Sequence, residues 1–143
     1  ACLAALPQVL SVGAVDMVNF GPLETVPEKF RNRLLHSHNA NVTLMRTNPD
    51  ENAEIGRRIA EALKTSKGPA AIALPLGGVS ALDAPGKAFW DPEADATLFA
   101  TIRRELEGVG HVQIYERDEH INDPAFADFL VETLLRMLGN RGR

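Results

Sequence analysis

Three times along this chain an Asn or Asp is followed at once by a proline and then by an amphipathic stretch: Asn48-Pro49, Asp91-Pro92 and Asp123-Pro124. An Asn or Asp side chain accepts a hydrogen bond from the free backbone N–H groups that open a helix. Proline suits the first helical position, because the N–H it lacks would have no partner there. Glu51 stands where it can reach back to Asn48, so the first start has a capping-box pattern. Beyond these starts the apolar residues recur at helical spacing. Pro49–Thr65 stripes Ile55, Ile59, Ala62 and Leu63. Pro92–Leu106 stripes Ala94, Leu98, Ile102 and Leu106. Pro124–Leu138 stripes Phe126, Phe129, Leu130, Leu134 and Met137. Gly68-Pro69 and Gly139 mark helix ends.

Runs rich in β-branched and apolar residues precede these helices and read as strands: Gln8–Val15, Asn41–Arg46, Ala70–Pro75 and His111–Glu116. Arg33–Ser37 can pair beside the second, and a short helix is expected over Pro27–Arg33. Strand and helix in alternation call for a parallel sheet with helices packed on it. The expected fold is a three-layer α/β domain with a mostly parallel, Rossmann-like sheet. The 143 residues suit one domain with a core of its own. One cysteine, Cys2, rules out an internal disulfide and suggests a reducing, cytoplasmic compartment. A net charge of −4 with scattered cations argues against nucleic acid and anionic membrane surfaces. No apolar run approaches the roughly 20 residues of a membrane helix. The opening Ala-Cys-Leu-Ala-Ala-Leu reads as the last turn of a helix cut in half, so the chain is expected to be part of a longer protein.

Ligands of open α/β sheets sit beyond the carboxyl ends of the strands, which makes the strand-end loops the place to look for chemistry. After the first strand come Asp16 and Asn19 beside Met17 and Phe20, either a self-capped turn or a pocket wall. After the second comes Arg46, next to a helix start. It would either grip a carboxylate or phosphate in forked geometry or pair with Asp50 or Glu51. After the third, Gly77-Gly78-Val79-Ser80 and Asp83 form either an anion cradle of backbone N–H groups or a plain tight turn. The loop lacks a Gly-x-x-x-x-Gly-Lys-Ser/Thr pattern, and Leu82 stands where a Gly-x-Ser-x-Gly elbow needs glycine. The following 83–91 stretch, with Phe89 and Trp90, is either a lid or a staple for the next helix. After the fourth comes His120, whose ordinary titration range near neutral pH makes it the best acid/base candidate. Asn122 and Asp123 read as caps. His36 and His38 would share one face of a strand, a weak metal signal that needs a third ligand; no metal is assigned.

Several of these stretches look like one known family: Ser11-Val-Gly-Ala-Val-Asp-Met-Val-Asn-Phe-Gly21, Val42-Thr-Leu-Met-Arg-Thr47, Leu74-Pro-Leu-Gly-Gly-Val-Ser-Ala-Leu-Asp83, Phe89-Trp-Asp-Pro-Glu-Ala-Asp95 and His120-Ile-Asn-Asp-Pro124. In order and over nearly the whole chain, it resembles the Tm-one-like ATP-binding proteins, named after a plant tobamovirus resistance protein. The resemblance implies a two-domain protein at least twice this length, with this chain as the later part of its C-terminal domain. It implies ATP binding through the N-terminal region, and no nucleotide motif lies here. It supplies no established catalytic residue. A piece lacking its first strand–helix units would leave apolar surface open, so self-association into a homo-oligomer or cover by a neighbour is expected.

Three functions follow from these residues. One is an enzyme acting on a small anionic metabolite, with Asn19, Arg46, Gly77, Gly78, Ser80 and Asp83 holding it and His120 with Asp16 moving protons. The second is a non-catalytic module that binds a ligand or a protein. The third is a structural half-domain that completes an oligomer.

Overall fold

The computed structural model describes residues 5–139. Its centre is a strand of small and branched apolar residues, Ala70–Pro75, buried at every position. Two strands flank it in parallel, the shorter Gln8–Leu10 (β1) on one side and Val112–Arg117, of equal length, on the other. A strand buried on both faces has no polar alternation, which is why 70–75 reads as a continuous apolar run. Side chains alternate across it. Ala70, Ile72 and Leu74 join one apolar cluster with Ala60 and Leu63 of helix α1 (Pro49–Lys64) and Leu98, Phe99, Ile102 and Leu106 of helix α2 (Pro92–Leu106). Ala71 and Ala73 point the other way. Their small side chains let helix α3 (Pro124–Gly139) come close to the central strand and to β1. The result is three layers, with α1 and α2 on one face and α3 on the other.

A second sheet stands apart from this one. Met17–Phe20 (β2), Leu35–Asn39 (β3) and Val42–Arg46 (β4) pair antiparallel in the order β2-β4-β3. The central strand of the parallel sheet is thus β5 and its partner Val112–Arg117 is β6. The α/β class is as expected, but the strands divide between two sheets. The strand expected over Gln8–Val15 stops at Leu10. Beyond it Ser11 Oγ donates to the Ala73 carbonyl at 3.0 Å and Ala14 N donates to Val79 O at 2.9 Å, with Ala14 at φ +56°. Those bonds turn the chain across the end of β5 and return it as β2. The strand over 41–46 forms, yet antiparallel, because the tight turn at Asn39–Asn41 folds it back on β3; Asn41 N donates to Asn39 Oδ1 at 2.8 Å. The short helix expected over Pro27–Arg33 shrinks to one 3-10 turn, Glu28–Phe30.

The helix starts are where the capping residues put them. Asn48 Oδ1 accepts from Glu51 N at 2.9 Å and Glu51 Oε2 accepts from Asn48 N at 2.8 Å. Asp91 Oδ1 accepts from Ala94 N at 3.0 Å. On the outer face of α3, Val131, Leu135 and Leu138 are exposed. The helical turn expected at the very start falls largely outside the described residues. Among the described residues no helix is long and apolar enough to cross a membrane.

Candidate functional site

The turn after β5 is built by close backbone approach. Gly77 N donates to Glu119 O at 3.2 Å, Gly78 N to Pro75 O at 3.2 Å, and Val79 N to Asp83 Oδ2 at 2.8 Å. A Cβ on Gly77 would sit 2.7 Å from His120 N. At Gly78, φ is +127° and a Cβ would sit 1.9 Å from Asp83 O. Both glycines are there because nothing larger fits. Their N–H groups are already bonded inside the protein, so the anion cradle expected of Gly77 and Gly78 is not on offer.

His120 is committed in the same way. Its Nδ1 takes the Asn122 N–H at 3.1 Å, which leaves the proton on Nε2. Nε2 then donates to Ser80 O at 2.9 Å and to Asp83 O at 3.2 Å. With both ring nitrogens engaged, His120, the acid/base candidate, ties the 78–83 turn to the loop after β6.

Arg46 ends β4 only 3% exposed. Its Nε donates to Phe89 O at 2.8 Å, and its Nη2 contacts Asp95 Oδ1 at 2.7 Å and Asp83 Oδ1 at 3.5 Å. The forked grip expected on an external anion is spent on two internal carboxylates instead. Asp83, fully buried, balances Arg46 and caps Val79 N, so it too holds the turn in place of a ligand. These bonds also fasten the 83–91 stretch: Phe89 is fully buried, with His36 edge-on to its ring at 6.0 Å. Phe89 thus anchors the stretch in the core, while Trp90, the residue expected to staple the next helix, is half-buried. One guanidinium facing Asp16, Asp83 and Asp95 leaves an excess of buried carboxylates.

The excess shows in their titration. Burial pushes Asp95 up to about 7, against the pull of Arg46 and with the Asp83 carboxylate adding to the rise. Burial also raises Asp16, against its hydrogen bond from Ser80 and the charge of Arg46. Asp95 therefore keeps its proton over a pH range in which an unfolded chain has already released it, and Asp16 is shifted in the same direction. Stability should therefore fall as pH rises from about 4.5 to 7 and level off above, by roughly 1–3 kcal/mol between pH 5 and pH 8. Urea unfolding at those two pH values measures it, and Asp95→Asn should flatten the slope. A wild-type slope of opposite sign would show that Asp95 is ionised and well paired throughout.

What the three strand-end loops line is an open pocket of about 340 Å³. Gly13, Ala14 and Met17 come from the turn after β1, Val79, Ser80 and Ala81 from the turn after β5, and Ile121 and Asn122 from the loop after β6. Ser80 donates to Asp16 Oδ2 at 2.6 Å and accepts from Leu82 N at 3.1 Å. Asp16 is fully buried, and its Oδ1 has no hydrogen-bond partner among the described residues. Asn19 lies outside: it is exposed on β2, opposite Leu44, and does not line the pocket. The sequence candidates Asp16, Ser80, Asp83, His120, Arg46 and the two glycines thus form one bonded assembly, while Asn19 stands apart. Gly13, Ala14, Ala81 and Ile121 carry no polar side chain, so no residue-type signal pointed to them. A larger groove, about 430 Å³, lies at the start of α1 between Val18, Asn48, Asp50, Glu54 and Ile55. It shares no lining residue with the strand-end pocket. Among the described residues no group of three His, Cys, Asp or Glu is placed to hold a metal.

Comparison with known proteins follows the same loops. Residues 1–138 match a family described as "Uncharacterised protein family (UPF0261) C-terminal domain". The chain is 50% identical over 133 residues to a UPF0261 protein of Clostridium tetani (strain Massachusetts / E88), covering 93% of this chain and 33% of that protein. It is 47% identical over 132 residues to the ToMV resistance protein Tm-1(GCR237) of Solanum lycopersicum, covering 92% of this chain and 18% of that protein. A UPF0261 protein of Rhizobium meliloti (strain 1021) is 52% identical over 126 residues, 88% of this chain and 32% of that protein. The chain spans a third or less of the length of these relatives. With the match running across all the strand-end loops, the chain belongs to the UPF0261 family, through that family's C-terminal domain.

Proposed function

We propose that this chain is a ligand-binding module, with a site for a small polar metabolite at the carboxyl ends of β1, β5 and β6. The observation that carries this reading is the convergence of three strand-end loops on one pocket with Ser80 in its wall. The volume, about 340 Å³, lies at the small end of ligand-sized cavities. Arg46, Asp83, His120, Gly77 and Gly78 serve this site by shaping the turn that presents Ser80. The groups expected to move protons or hold an anion are bonded internally, which favours binding over catalysis by this chain alone. One observation favours an enzyme: the 2.6 Å bond from Ser80 to a buried Asp16, the pairing of a hydroxyl with a base. The single cysteine supports a cytoplasmic protein, and the exposed apolar stripe of α3 supports a partner for that helix, either another copy or the rest of a longer chain.

A thermal-shift screen against polyols, amines, keto acids, sugar acids and sugar phosphates tests the site, run in parallel on Ala81→Trp. Ala81 is exposed and lines the pocket, so an indole there fills the space without disturbing the core. A ligand at 100 times its dissociation constant adds roughly 2.7 kcal/mol of stability. The expected result is a ligand that stabilises the wild type and loses its effect in the tryptophan variant. A ligand that acts equally on both binds elsewhere, and the strand-end reading fails.

A further inference from the structure

The hydrogen bonds around Ser80 restrict what the pocket can accept. A serine hydroxyl has one proton to donate and two lone pairs. The proton is committed to Asp16 Oδ2 at 2.6 Å, and one lone pair takes Leu82 N–H at 3.1 Å. What Ser80 has left is a lone pair, so its partner must bring a hydrogen-bond donor. A carboxylate or phosphate ligand would face oxygen with oxygen.

Charge points the same way. No Lys, Arg or His lines the pocket. Behind Ser80 stands the Asp16 carboxylate, fully buried and with Oδ1 unpartnered. The buried cation nearby, Arg46, is already shared between Asp83 and Asp95. His120 does not line the pocket, and both its ring nitrogens are engaged elsewhere, Nδ1 by Asn122 N and Nε2 by the Ser80 and Asp83 carbonyls. Of the rest of the wall, Ala14, Met17, Val79, Ala81 and Ile121 are apolar, and the exposed Asn122 adds one uncharged amide at the rim. A negative group held behind an acceptor, with apolar sides and a small volume, suits a cation that carries N–H donors on a hydrocarbon body.

We propose that this pocket selects a compact organic ammonium, whose charged head donates to Ser80 Oγ in the field of Asp16 and whose apolar body lies against Met17, Val79 and Ile121. This rests on the strand-end reading above and names the ligand class for it.

The test uses four probes of similar size: n-propylammonium, n-propanol, propionate and inorganic phosphate. Each is titrated at constant ionic strength while the backbone amide resonances of Ala14, Ser80, Ala81 and Asn122 are followed by NMR. Propylammonium should shift these amides saturably, with propanol at least tenfold weaker and the two anions without effect at the same concentration. Asp16→Asn removes the charge and keeps an acceptor for Ser80, so it should weaken propylammonium at least tenfold and leave propanol unchanged. Ser80→Ala should weaken both probes. Should Asp16→Asn fail to fold, the comparison of the four probes on the wild type decides alone. Saturation of the same amides by propionate or phosphate, or equal binding of propanol and propylammonium, overturns the ammonium and leaves the pocket standing. If none of the four moves the pocket amides, both readings fall.

Discussion

Replacing Arg46 by methionine should cost about 3–5 kcal/mol of stability at pH 8, the usual penalty for removing one partner of a buried ion pair. The substitution keeps an apolar stem of similar length, so what it removes is charge and hydrogen bonds. Phe89 O loses its donor, and Asp83 and Asp95 lose the guanidinium between them. Three carboxylates are then buried with no cation near them. Because burial already favours the protonated forms of Asp95 and Asp16, acid should relieve part of the damage, and the loss at pH 5 should be clearly smaller than at pH 8. Urea unfolding of wild type and Arg46→Met at both pH values measures this. An equal loss at the two pH values would mean that Arg46 acts through packing and its carbonyl contacts, and that the carboxylates are not what it balances.

The second large effect is expected at Gly78. Alanine there meets two obstacles, a backbone at φ +127° and a Cβ 1.9 Å from Asp83 O. The first costs roughly 1–2 kcal/mol by itself. The second cannot be relieved by a side-chain rotation, because the opposing atom is backbone in the turn that His120 and Asp83 hold. Together they should exceed about 3 kcal/mol, within the range where overpacking and backbone strain add. Gly86 is the control: φ is +80°, yet nothing lies within 4 Å of its would-be Cβ. Gly86→Ala should therefore cost only the conformational share, about 1–2 kcal/mol. If Gly78→Ala costs no more than Gly86→Ala, the 77–83 turn yields to the added methyl, and the rigid presentation of Ser80 is lost as an argument for the site.

Both predictions depend on contacts across long stretches of chain, and that separates what could be read early from what could not. The helix starts at Pro49 and Pro92 were legible because capping is local: an Asn or Asp side chain bonds an N–H three residues on; the start at Pro124 follows from the proline, since the Asp123 carboxylate accepts from His120 N instead. The strand at 70–75 was legible because six small or apolar residues between helices have one place to go, the middle of a buried sheet. The family was legible because the strand-end loops carry its patterns. The run 8–15 was misread as one strand because Ser11 and Ala14 turn it only by bonding to Ala73 and Val79, some sixty residues on. The direction of 42–46 was likewise set by β3, a partner with little apolar periodicity of its own.

The site divides along the same line. Residue types alone drew attention to Asp16, Ser80, Asp83, His120 and Arg46, because polar and ionisable groups at strand ends are costly to place without a purpose. What each does was decided by its surroundings. Arg46 and His120 could have faced solvent and a ligand; folded, they meet carboxylates and carbonyls from other loops and are used up there. Gly77 and Gly78 could have cradled an anion; folded, their N–H groups close on Glu119 and Pro75. The pocket itself is walled largely by Gly13, Ala14, Ala81 and Ile121, which have no chemistry to notice and matter only for the space they leave. Local sequence determined where the elements begin, because caps and periodicity act within a few residues. Tertiary structure decided which polar groups remain free for a ligand, because a hydrogen bond or an ion pair is made with whatever partner the fold brings within about 3 Å.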